Sequence, residues 1–136
     1  AQKERGCFQK TYLALVSGRL SEREGVIDRP IGKGKGICMR VTPEGKRAIT
    51  EYRVLRAGEV SALLVRIRTG RTHQIRVHMA SIGHPLLGDA LYGGDCTLID
   101  RTALHAWKAD LKHPFTGRKI CLEAELPADM SRFFPL

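Results

Sequence analysis

Between Lys10 and Gly18 the chain reads KTYLALVSG, in which Tyr12, Ala14 and Val16 alternate with Thr11, Leu13 and Leu15. Side chains of a β-strand point to its two faces in turn, so this segment is apolar on both. A strand of that kind is expected to be well buried, which demands a fold with a real core. The composition can supply one, since 43% of the 136 residues are apolar. A chain of this length fits one ordinary domain, and it is read here as a single domain over 1–136.

The segment EGVIDRPIGKGKGICMRV carries short apolar pieces around Pro30 and a Gly-Lys repeat. GKGKG lacks the G-x-x-x-x-G-K-[ST] spacing of a phosphate loop and reads as a hairpin or loop, with lysines able to touch an RNA backbone. RAITEYRVLRAG and VSALLVRIRTG read as two strands joined at Ala57-Gly58-Glu59. In the second, Leu64 and Ile67 are expected on the buried side, and Arg66 and Arg68 opposite. Gly70 breaks that strand. Thr72 is the expected N-cap of a helix, HQIRVHMASI, that runs to Gly83 and is stopped by Pro85. Ile75, Met79 and Ile82 then form one helical stripe, while His73 and Arg76 share another. ALHAWKADLKH and KICLEAELP read as strands around the turn PFTG, and ADMSRFFP as a short closing helix. The expected class is α+β: a mixed, mostly antiparallel sheet with a few flanking helices.

The formal charge of +9 favours polyanions, and no basic tail carries it. It is concentrated in RTGRTHQIRVHM, Arg68 to Met79, where three arginines and two histidines share twelve positions. Cations at the start of a helix oppose its dipole, whereas the free N–H groups there attract anions. The conflict is resolved if the cluster meets an anionic ligand. A metal fits poorly: His73 and His78 are five apart, no H-E-x-x-H occurs, and the other histidines are scattered. No cofactor is signalled. Cys7, Cys38, Cys96 and Cys121 form no C-x-x-C pair, and without a secretion signal they are expected to be reduced, mostly buried thiols in a cytoplasmic protein. No apolar run approaches the roughly eighteen residues of a membrane span.

TGRTHQIRVHM, followed by GHPLLGDALYGG and LHAWKADLKHPFTG, resembles the RluA-type pseudouridine synthases, and KTYLALVSG resembles the tyrosine-bearing motif upstream of these. The similarity runs in the family's order from about Lys10 to the end of the chain. It implies an enzyme that flips a uridine out of structured RNA, ribosomal or transfer, and isomerises it through a catalytic Asp. By the same resemblance Arg76 is the cation that keeps this Asp ionised and aimed, and Tyr12 stacks on the flipped base. Arg68, Arg71, Thr72 and His73 would meet the RNA backbone or bracket the pocket.

The catalytic Asp of that family lies in an H-R-L-D-x-x-T-S-G-L motif before the tyrosine, and the motif does not occur in this chain. Only eleven residues precede Tyr12, none of them Asp, and none of the six aspartates has the motif around it. Asp89, in GDALYGG, matches a structural position of the family. The expectation is that this chain is the C-terminal part of a larger catalytic domain. An unprotected sheet edge would follow, open to dimerisation or strand swapping. The competing reading is a basic RNA-binding module without chemistry.

Overall fold

The computed structural model describes residues 8–112, 119–123, 127–131 and 133–134, with side chains for 10–106, 127–131 and 133–134. In chain order these form β1 (Phe8–Ser17), β2 (Glu24–Asp28), β3 (Ile31–Lys33), β4 (Met39–Val41), β5 (Ile49–Arg56), β6 (Val60–Ile67) and α1 (Gln74–Ser81). A 3₁₀ turn at Ala90–Tyr92, β7 (Leu104–Lys112), β8 (Lys119–Glu123) and α2 (Ala128–Ser131) follow. The main sheet has the order β2-β5-β6-β1-β7-β8, and β3 pairs separately with β4. The α+β expectation holds, with every pairing among the described residues antiparallel.

The doubly apolar segment is the inner strand β1, flanked by β6 and β7. On one face Ala14, Val16, Leu63 and Val65 pack with Ile75 and Met79 of α1 and with Leu86. On the other, Leu13, Leu15 and Ala62 pack with Leu87, Ile99, Ala103, Phe134 and Met130 of α2. The two-sided pattern therefore records two covering layers, each fully buried Leu contributing about 1.5–3 kcal/mol. The same pattern corrects the reading of β6. Leu63, Val65 and Ile67 belong to the α1 side, whereas Leu64 joins the opposite cluster. Alternation requires this, because positions 64 and 67 differ by an odd number.

Cross-strand partners share a face, and the register Tyr12–Val65–Tyr52–Gly25 sets two tyrosines on either side of Val65 under α1. Gly25 makes room for one of them, since a Cβ there would lie 2.6 Å from the Tyr52 ring. Ile75 and Met79 are buried and Ile82 packs against their cluster, as the helical stripe requires. Gly83, at φ +86°, ends the helix in the left-handed region that glycine adopts without strain.

The β5–β6 turn falls at Ala57-Gly58-Glu59 as expected, and GKGKG forms the bend of the β3–β4 hairpin, closed by Gly34 N–H to Cys38 O at 2.9 Å. The turn PFTG lies outside the described residues. The cysteine expectation is half corrected: Cys38 and Cys96 are free thiols, but Cys96 is exposed and Cys38 only partly covered. No helix among the described residues is long and apolar enough to cross a membrane.

Candidate active site

Helix α1 does not start as the sequence suggests. Thr72 is exposed in the preceding turn, and His73 takes the N-cap position with φ 55° and no side-chain cap. A non-glycine residue in that region is strained and persists only where its surroundings hold it. Here they do. His73 Nδ1 lies 2.6 Å from the Tyr92 hydroxyl, and the two rings meet edge-on at 5.6 Å. Met39 N–H donates to the same hydroxyl at 2.9 Å, which leaves the Tyr92 O–H to donate a hydrogen bond to Nδ1 of a neutral imidazole. Burial, then the charge of Arg76, lowers the His73 pKa and agrees with that assignment.

Gln74 supplies the local order that a capping hydroxyl would have given. It is 3% exposed and makes four bonds. Its amide donates to Ile49 O at 2.9 Å and Thr50 Oγ1 at 3.0 Å, and its carbonyl accepts from Thr69 Oγ1 at 2.6 Å and Arg71 N–H at 3.0 Å. One turn on, His78 is wholly buried between Thr50 Oγ1 and Arg29 O, each at 2.8 Å. The carbonyl can only accept, so Nε2 carries the proton and Nδ1 accepts from Thr50. Burial depresses this pKa as well. His78 is thus a structural group and no part of a metal site. Among the described residues no three His, Cys, Asp or Glu side chains are grouped to hold a metal ion.

Arg76 is the chemical centre of the cluster. Its Nε and Nη2 each donate to one oxygen of Asp89 at 2.9 Å, a two-pronged pair in which the carboxylate is fully buried and the arginine 22% exposed. Its guanidinium carbon lies 5.1 Å from the centre of the Tyr92 ring, a cation–π distance. The hydrogen bond to Asp89, above all, raises the Arg76 pKa. Asp89 and Tyr92 are three apart on the 3₁₀ turn of GDALYGG, where sequence suggested only a structural role for the aspartate. The signal was a carboxylate and a tyrosine at one-turn spacing between glycines.

Tyr12 stands half-buried on the α1 side of the sheet, packed against the cluster containing Ile75. The β1–β7 register shifts between Thr11 and Tyr12, where β7 carries one extra residue, while the β1–β6 register stays regular and keeps Tyr12 on the face of Ala14 and Val16. Burial raises its phenol pKa. Tyr12 and Arg76 share this side, though no hydrogen bond or ring contact joins them among the described residues. The remaining candidates spread along the loop before α1. Arg71 donates from Nε to Arg47 O at 2.8 Å, Thr72 is free to solvent, and Arg68 pairs with Glu51 on the opposite sheet face.

Residues 1–81 match the family described as RNA pseudouridylate synthase. The chain is 44% identical over 134 residues to the uncharacterized RNA pseudouridine synthase YhcT of Bacillus subtilis, covering 95% of this chain and 44% of that protein. To ribosomal large subunit pseudouridine synthase D of Nitrosomonas europaea it is 45% identical over 142 residues, covering 96% and 41%. Its fold is similar to that of human RNA pseudouridylate synthase domain containing 1, with a TM-score of 0.77, 29% identity, and coverage of 94% of this chain and 58% of that one. This chain belongs to the RNA pseudouridine synthase family, on its RluA side. It spans less than half the length of the two curated relatives named here.

Proposed function

We infer that this chain forms the C-terminal part of the catalytic domain of an RNA pseudouridine synthase that isomerises uridine in structured RNA. The observation that carries this reading is Arg76. A guanidinium fixed by a buried carboxylate, in a cluster otherwise rich in cations, is what a nucleophilic carboxylate needs beside it to stay ionised. The nucleophile is an Asp in an H-R-L-D segment upstream. Tyr12 stacks on the flipped uracil and, with its pKa raised, remains a neutral phenol near neutral pH. Arg68, Arg71, Thr72 and His73 contact phosphates or bracket the pocket, offsetting the few kcal/mol that base extraction costs. Ribosomal RNA is favoured over transfer RNA by the name of the Nitrosomonas relative. The reading places the protein in the cytoplasm, needs no cofactor, and allows dimerisation through a sheet edge.

The test is complementation. These 136 residues alone should bind structured RNA and form no pseudouridine. Adding a separately expressed segment bearing H-R-L-D should restore turnover. Turnover without it would make one of the six aspartates the nucleophile. RNA binding that never yields turnover would favour the module without chemistry.

A further inference from the structure

A guanidinium has five N–H donors, and its function depends on which of them are already committed. In Arg76 two are: Nε and Nη2 face the two oxygens of Asp89. Its guanidinium carbon stands over the Tyr92 ring, 5.1 Å from the ring centre. Asp89 is completely buried, while the Arg76 side chain stays 22% exposed. What remains is the Nη1 edge, its two N–H groups together with the second on Nη2, and none of the three has a partner among the described residues. Tyr92 cannot swing aside freely, because its hydroxyl is tied to His73 and to the backbone N–H of Met39 in the β3–β4 hairpin.

We propose that Asp89 is a positioning residue: by holding Arg76 through Nε and Nη2 against Tyr92, it reserves the Nη1 edge for the nucleophilic carboxylate. The proposal rests on the function inferred above. The pair separates two duties that one arginine could not otherwise perform. Without Asp89 the incoming carboxylate would itself take the favoured two-pronged edge. It would then bond strongly to Arg76 and be held away from the base. With that edge occupied, the nucleophile meets the Nη1 end of a guanidinium whose charge is already shared with Asp89, a weaker attraction that keeps it charged and still free to attack.

The experiment uses the full-length protein, with release of tritium from RNA carrying 5-tritiated uridine as the readout. Arg76→Lys tests the underlying reading: an unchanged kcat would remove Arg76 from catalysis, whatever Asp89 does. Asp89→Asn tests the proposal. The expected result is a fall in kcat of about 30-fold or more with the Kd for RNA within twofold. An unchanged kcat overturns it, and so does a parallel loss of RNA binding, which would signify a merely structural pair. A measurement on unaltered Asp89 decides the case if that variant does not fold. In arginine side-chain ¹⁵N spectra, Arg76 Nε–H should exchange at least tenfold more slowly than that of exposed Arg53. Replacing the upstream nucleophilic Asp by Asn should move the Nη1 resonance and leave Nε–H in place. Rapid Nε–H exchange, or a shift at Nε in place of Nη1, overturns the proposal.

Discussion

His78 Nδ1 lies 2.8 Å from Thr50 Oγ1, joining the underside of α1 to β5, with the imidazole wholly buried and neutral. Burial lowers its pKa from the ordinary 6.5, and that of His73 moves the same way. The unfolded chain therefore binds more protons than the folded one below pH 6.5, and the stability these residues contribute is present above that value and lost as pH falls from it through their lower folded values. The urea midpoint should drop between pH 7.5 and 5.5. His78→Gln should be less stable at pH 7.5 and show a shallower decline. An equally steep decline would assign the effect to other groups.

Gln74→Leu keeps the volume and removes four hydrogen bonds, leaving Ile49 O and Arg71 N–H to find new partners while Thr50 Oγ1 keeps His78 and Thr69 Oγ1 keeps Ile49 N–H. Unsatisfied buried groups cost about 1–3 kcal/mol each, and partial rehydration should bring the total to about 3 kcal/mol. Chemical denaturation measures it. A loss under 1 kcal/mol would mean that the loop before α1 is ordered without Gln74.

Gly88→Ala should be more damaging than its small size suggests. Gly88 has φ +72°, and a Cβ there would come within 1.8 Å of Arg101 O. Left-handed backbone costs a non-glycine residue about 1–2 kcal/mol before any clash. Relief of the clash must displace the neighbouring Asp89. Both melting temperature and the slow exchange of Arg76 Nε–H should fall, and a variant that keeps both would show that the turn tolerates a side chain.

Tyr92→Phe keeps the ring beneath Arg76 and removes the hydroxyl that joins Met39 N–H to His73. The expected cost is about 1 kcal/mol, with faster amide exchange at Met39. Unchanged exchange at Met39 would detach the hairpin from the site.

Arg71 spends Nε on Arg47 O and keeps its terminal nitrogens for a phosphate. Arg71→Ala should reduce the slope of log K against log salt for structured RNA by about one unit. An identical slope would remove Arg71 from the backbone contacts.

The elements were legible in the sequence wherever the apolar pattern had one interpretation. KTYLALVSG, apolar on both faces, reads as a strand covered from both sides, which is what the two packed layers provide. Ile75, Met79 and Ile82 could only be the inward stripe of a helix, because their spacing matches 3.6 residues per turn. The charge concentrated between Arg68 and Met79 announced an anion by composition alone. Patterning sets which side of an element is buried, a local property written in consecutive residues.

Tertiary structure decided what those residues meet. Thr72 has the hydroxyl of a cap, yet His73 takes the position, because Tyr92 and Gln74, distant or side-on in sequence, stabilise a backbone angle that local preference disfavours. Arg76 finds Asp89 thirteen residues away, across a turn whose course is set by Gly88 and Gly94 packing against backbone oxygens. Tyr12 is held between Val65 of β6 and Ala106 of β7, a strand almost a hundred residues later. A pairing of that kind depends on which strands become neighbours, and its energy arises only once the chain has closed around it.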